Sequence, residues 1–188
     1  MARMRSPEKR KALLEAAVLE IDASGLSAPT SRIASRAGVA EGTLFTYFAN
    51  KDALLNELYL ELKIELYQRL NAELDPKAGL KVRTRQIWFS FLNWAIEYPQ
   101  KRKVSLQLHM SNLIASNTRD QAAAKSGAVA AALSELGECA AKRGLPAEFA
   151  SSSMGAMQEV AMDLIAKQPE RREQLEREAF EAFWRAVQ

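Results

Sequence analysis

Apolar side chains recur along this chain at three- and four-residue spacing, the period of a helix, and no stretch alternates as a strand would. The first stripe is Leu14, Ala17, Val18 and Ile21, opened by Ser6-Pro7-Glu8 as cap, proline and acid, and closed at Gly25. Two short helices are expected next. Ser31–Ala37 has Thr30 as its cap and Ile33 turned inward, with Ala34 small enough for a close crossing. Glu41–Phe48 has Leu44 and Phe48, four apart, as its buried stripe. Gly38 between them suits left-handed backbone, and Val39 can plug the corner. Asn50 then caps a long helix from Lys51 to about Leu74, with Leu55, Leu58, Leu62, Leu66 and Leu70 along one side. Such a helix spans roughly 35 Å at 1.5 Å per residue.

Asp75-Pro76 and Gly79 break the pattern. From about Leu80 to Glu97 apolar groups occupy nearly the whole circumference, with Ile87, Trp88, Phe89, Phe91, Leu92 and Trp94, as in a buried helix. Pro99 opens a helix to about Ala115, and Asn117-Thr118 forms a joint. Helices at about Arg119–Arg143, Ala147–Lys167 and Glu170–Val187 complete an all-α chain. The expected organisation is an amino-terminal three-helix domain over residues 1–50 and a carboxy-terminal helical domain over 51–188.

The segment Thr30–Leu55 carries the most chemistry, because a second helix held across a first is a device for reading the major groove of DNA. Opposite Leu44 and Phe48 lie Gly42, Thr43 and Thr46, flanked by Phe45 and Tyr47. The threonine and tyrosine hydroxyls can bond phosphates or base edges, and Phe45 or a threonine methyl can touch a thymine methyl. Lys51 stands at a helix amino end, where the dipole also favours an anion. A small three-helix core with an ordinary polar face fits the spacing as well.

The 188 residues carry a net charge of +3, modest for a nucleic-acid binder, so a local basic surface is expected rather than a polycation. Arg3, Arg5, Lys9, Arg10 and Lys11 could supply it, the first two as an arm into a minor groove or as a solvated terminus. The start MARMRSPEKRK has no signal-peptide apolar run, and no stretch reaches the roughly 20 apolar residues of a membrane span. Cys139, the only cysteine, excludes an intrachain disulfide and suits a reducing cytoplasm.

The string IASRAGVAEGTLFTYFANKDALL resembles the DNA-binding domain of the TetR family of repressors, through Ile33-Ala34, Ala37-Gly38-Val39, Gly42-Thr43-Leu44, Tyr47-Phe48 and Asn50-Lys51. Within that family, Ala40–Phe45 and Leu58-Tyr59-Leu60 look most like the RamR-type repressors of multidrug-efflux regulation. The resemblance implies that Ser31, Gly42, Thr43, Phe45, Thr46, Tyr47 and Lys51 face DNA. Two departures matter: Phe45 lacks the hydroxyl of the more usual Tyr, and Ala40 the capping hydroxyl of Ser.

The resemblance also implies a homodimer on a palindromic operator, and a cavity for a small apolar or aromatic effector that releases the operator. Tyr59, Leu62, Leu66, Thr84, Ile87 and Trp88 are the first candidates to line it, with Ser151 and Met154 where RamR-type proteins have acidic and aromatic groups. Aromatic residues at helical spacing are also ordinary core. For dimerisation the candidates are Gly127, Ala128, Ala131, Ala132, Leu133 and Leu136, then Met154, Met157, Ala161 and Leu164, faces that could equally pack within one subunit.

No cofactor or metal is expected, and an enzyme is the weaker reading. His109 is the only histidine, no glycine-rich phosphate loop is present, and a His109–Cys139 pair has no local signature. Glu159 and Asp163 lie four apart without the Glu-x-x-His elements of a di-iron bundle.

Overall fold

The computed structural model describes residues 6–188, and its described residues form ten α helices with no strand. They are α1 (Pro7–Ser24), α2 (Thr30–Arg36), α3 (Glu41–Tyr47), α4 (Lys51–Glu73), α5 (Leu80–Glu97), α6 (Pro99–Met110), α7 (Ser116–Ala123), α8 (Ala128–Lys142), α9 (Glu148–Lys167) and α10 (Arg172–Val187). A 3-10 turn, Pro169–Arg171, precedes the last. The all-α expectation holds. Arg3 and Arg5 lie outside the described residues. No helix among those residues is long and apolar enough to cross a membrane.

The chain divides into two compact units, residues 1–65 with 98–124, and 66–97 with 125–188. In the first, the stripes of α1 to α3 meet α4, α6 and α7 in one apolar core. Leu13, Ile21, Ile33, Leu44, Phe48, Leu58, Val104 and Leu108 are buried there within a single cluster. Ser6 caps α1 as its spacing suggests, Oγ accepting the Lys9 N–H at 3.3 Å.

In the second unit the apolar circumference of α5 is enclosed by α8, α9 and α10. Trp88 stacks on Phe183 with ring centroids 5.5 Å apart and meets Phe180 edge-on at 5.9 Å. Aromatic pairs of this kind add about 0.5–1.5 kcal/mol beyond the area that they bury. Ion pairs link the edges: Lys81 with Glu181 at 2.8 Å, and Arg83 with Glu135.

The structure corrects several helix ends. The expected single helix Arg119–Arg143 is two, because Gly127 takes φ 57° and the buried Ser126 turns its carbonyl to Asn71 Nδ2 at 2.9 Å. Its alanine-rich composition concealed the break, since alanine favours helix on either side. Helix α6 stops at Met110 rather than near Ala115, where Ser111 becomes extended and its Oγ bonds the Leu108 carbonyl at 2.8 Å. Thr30 does not cap α2. It is the first helical residue, and Pro29 holds the preceding position with φ −66° and ψ 139°.

At Gly137 of α8 the backbone of Ala147, just before α9, comes close. A Cβ built there would sit 2.9 Å from the Ala147 carbonyl oxygen, a backbone atom that cannot swing aside. Alanine should gain up to about 1 kcal/mol of helix propensity but lose about 1–3 kcal/mol to overpacking. Gly137→Ala is therefore expected to lower the thermal midpoint by roughly 2–4 °C, at about 1 kcal/mol net. Thermal unfolding followed by circular dichroism checks the sign; a rise would contradict this packing.

Candidate nucleic-acid interface

Helix α3 has seven residues, too few to persist alone in water, so tertiary contacts must hold it. Leu44 anchors it at 0% exposure, and Phe48 follows at 1% where the backbone becomes extended. The corner before it is closed by hydrogen bonds. Gly38 takes φ 70°, the Val39 N–H reaches the Ala34 carbonyl at 3.0 Å, and the Ala37 N–H reaches Ile33 at 3.0 Å. This is the left-handed helix ending that the Gly-Val pair suggests.

Ala40 supplies no cap to α3. Instead the Thr30 hydroxyl donates to Glu41 Oε1 at 2.6 Å, tying the start of α2 to the start of α3. The hydroxyl assigned to a cap by spacing thus serves as a strut between the two helices. Asn50 does cap α4, Oδ1 accepting the Ala53 N–H at 2.8 Å.

The outward face of α3 is polar and open. Gly42 and Thr46 are exposed, Thr43 is half-buried, and Phe45 is 43% exposed, unusual for so large an apolar ring. The Thr46 hydroxyl donates to the Gly42 carbonyl at 3.1 Å, leaving its oxygen lone pairs outward. A Cβ at Gly42 would meet nothing within 4 Å, so packing within the chain does not require glycine there. Ser31 is exposed and Lys51 half-buried beside the exposed Asp52. Tyr47 differs from expectation: it is half-buried, and its hydroxyl oxygen accepts the Ser6 N–H at 3.0 Å. The phenol proton stays available, while the oxygen pins the amino end of α1 to α3.

The family model for bacterial regulatory proteins of the tetR family matches residues 13–58, which cover α1 to α3 and the start of α4. A Shewanella sp. PV-4 protein assigned to the tetR family of transcription regulators is 31% identical, over 97% of this chain and 98% of that one, with a TM-score of 0.78. The chain belongs to the TetR family. Proteins of the TetR family are DNA-binding transcription regulators rather than enzymes, so α2 and α3 form a helix-turn-helix. The fatty acid metabolism regulator protein of Bacillus subtilis strain 168 is 32% identical over 54% of this chain and 53% of its own length. The chain thus spans about half the length of the first curated relatives it matches. The transcriptional regulator FadR from Bacillus subtilis, solved in complex with stearoyl-CoA, shares the fold with a TM-score of 0.69 at 19% identity, over 92% of this chain and 96% of that one.

Of the residues suggested for an effector cavity in this TetR-family chain, Tyr59 and Leu62 are buried in the first unit. Leu66, Thr84, Ile87, Trp88 and Met154 are buried in the second. Ser151 stands apart, exposed, with its hydroxyl donating to the Glu148 carbonyl at 3.1 Å. The Thr84 hydroxyl is used within its own helix, on the Leu80 carbonyl at 2.8 Å. Trp88 is fully buried and its indole N–H has no hydrogen-bond partner, a costly condition for a donor. Among the dimerisation candidates, Ala132, Leu136, Met154 and Ala161 are buried within the subunit, while Ala131 and Leu164 remain exposed.

Sequence spacing missed one feature of the helix-turn-helix. Glu20 lies in the apolar side of α1 at 3% exposure and meets Arg32 Nε at 2.9 Å and Arg36 Nε at 2.6 Å. A carboxylate one residue before Ile21 and two after Val18 sits at the edge of the buried stripe, which was the only local signal. Both arginines are about half exposed and can turn to water when the carboxylate is removed. Glu20→Ala should therefore cost about 1.5–3 kcal/mol, the range for a hydrogen bond to a charged group. Urea unfolding measures it, and an unchanged midpoint would show that the pairs contribute nothing.

Proposed function

We infer that this protein is a ligand-responsive repressor that binds a palindromic operator as a homodimer and is released from it by a small apolar or aromatic effector. In this reading residues 1–50 read DNA and residues 51–188 bind the effector and dimerise, in the cytoplasm, in the manner of the RamR-type repressors. Ser31, Gly42, Thr43, Phe45, Thr46, Tyr47 and Lys51 face the duplex. Two copies of α3 occupy successive major grooves, since paired recognition helices act on half-sites about 34–36 Å apart or a multiple of that.

The observation that carries the reading is Gly42. Gly42 is the second residue of α3, and glycine costs up to about 1 kcal/mol relative to alanine in a helix, less in the first turn than in the interior. Nothing in the chain approaches the space that a Cβ would fill, so the cost has no internal return. A glycine there suits a surface against which a sugar-phosphate backbone must come close. Phe45, exposed beside it, then contacts the duplex through its ring rather than through a hydroxyl.

Support for an effector is of a different kind. The unpaired indole N–H of Trp88 is a buried donor suited to a ligand acceptor. The fold neighbour FadR holds stearoyl-CoA, a ligand with a long apolar chain. To act, the effector must bind the DNA-incompetent arrangement more tightly than the competent one. A tenfold loss of operator affinity requires about 1.4 kcal/mol of such difference.

Gly42→Ala separates the fold from the reading. It should raise stability by up to about 1 kcal/mol while weakening operator binding at least tenfold. Thermal unfolding and band-shift titration on the same preparation give both numbers. Unchanged operator affinity in a stabilised variant would remove Gly42 from the interface. In the same titration, an effector that binds the wild type yet leaves operator affinity unaltered would sink the ligand-responsive reading.

A further inference from the structure

Charge in the first unit is mostly paired. Arg10 bridges Glu57 at 2.8 Å and Glu61 at 3.3 Å, Lys101 meets Glu65 at 2.6 Å, and Lys103 meets Asp22 at 2.7 Å. Around Tyr59 the pattern reverses. Lys63 Nζ lies 5.5 Å from the centroid of the Tyr59 ring, and the Arg119 guanidinium carbon lies 5.8 Å from the same ring. The His109 ring is near-parallel to it at 6.5 Å, with Nδ1 3.4 Å from the Tyr59 hydroxyl.

No carboxylate answers these groups. Among the described residues neither Lys63 nor Arg119 takes part in an ion pair with an acid, and Lys63 has no hydrogen bond. Arg119 is nevertheless held in place, its nitrogens donating to the carbonyls of His109 at 3.1 Å, Ser111 at 2.8 Å and Ile114 at 3.4 Å. Backbone carbonyls thus fix the position of Arg119, and no carboxylate neutralises its charge. The electrostatic cost is visible in the titrating groups. Burial and then Arg119 hold the Lys63 ammonium below its ordinary value; burial, then Lys63, then Arg119 do the same to His109.

Two half-buried like charges with no carboxylate between them repel, and such a cluster marks a place where an opposite charge can arrive from outside. The cluster is open on one side, because His109 is exposed, while Tyr59 and Leu62 are buried beside Lys63. We propose that Lys63, Arg119, His109 and the Tyr59 hydroxyl form an anion site that takes the carboxylate or phosphate head of an effector whose body is apolar. Lys63 and Arg119 supply charge, and His109 or the phenol donates a hydrogen bond. The proposal deepens the ligand-responsive reading and rests on it only for the step from binding to operator release. It narrows the effector from any apolar molecule to an amphiphilic anion.

His109 is the only histidine, so its ring resonances report on this cluster without ambiguity. The full-length protein is titrated with decanoate, decyl phosphate, decanol and decyltrimethylammonium, each below its micelle-forming concentration. Both anions should shift the His109 signals and raise its pKa, at concentrations at least tenfold below those needed for decanol or the ammonium probe. Decyl phosphate against decanoate tells which head is preferred. Lys63→Met should weaken decanoate binding about tenfold, and Lys63→Arg should retain it. Decanol matching decanoate, an unaltered Lys63→Met variant, or no anion reaching His109 would each overturn the site. Decanoate that binds with this charge dependence but leaves operator DNA bound keeps the site and defeats the ligand-responsive reading. Decanol that releases operator as well as decanoate does the opposite.

Discussion

Everything in the first unit depends on one shared apolar core. Helix α3 contributes only Leu44 within its length and Phe48 just after it, and neither would keep a seven-residue helix formed in isolation. The core that receives them also contains Leu13 and Ile21 from α1, Leu58 and Leu62 from α4, Val104 and Leu108 from α6, and Ile114 and Ala122 beyond it. The outward face of α3 is therefore polar and exposed because its inward face is fixed by residues up to 78 positions away. A packed core has discrete arrangements rather than a continuous range, so displacement of α4, α6 or α7 must repack contacts that α1 to α3 share. Tyr59 belongs to this cluster. An effector bound beside it would therefore act on the same compact unit that holds α3.

Two treatments of charge follow from that constraint. Around the helix-turn-helix, charges serve as struts. Glu20 holds Arg32 and Arg36, Thr30 holds Glu41, and Arg10 joins α1 to α4 through Glu57 and Glu61. The exposed pairs of Arg10 fix geometry more than they add stability, at about 0–1 kcal/mol each, whereas the Glu20 carboxylate is buried. Around Tyr59 the same residue types stand without opposite charge. The contrast within one unit is sharpest at Lys63, which among the described residues has neither an ion pair nor a hydrogen bond, whereas Arg119 lacks an acid but is held by backbone carbonyls.

Local chemistry made much of this legible in the sequence. Helical periodicity placed Leu55 through Leu70 on the buried side of α4, and all five are buried in the structure. Gly38-Val39 announced the corner, and Asn50 and Ser6 announced their caps, because each signal is complete within four or five residues. What escaped was non-local. The Thr30 hydroxyl has its partner 11 residues away, and the Tyr47 oxygen has its partner 41 away. Spacing could place Lys63 one turn after Tyr59, but Arg119 arrives from another helix. The joint at Gly127 escaped for the opposite reason: a favourable alanine background hid a single residue of positive φ.

The central claim is that α3 reads a specific sequence, and selection of bound fragments from the source genome, followed by footprinting, tests it most directly. The account predicts a common palindromic site whose protected half-sites are one helical turn, or a small multiple of it, apart. Fragments enriched no more than random DNA of the same length, or a protected site without two-fold symmetry, would contradict it.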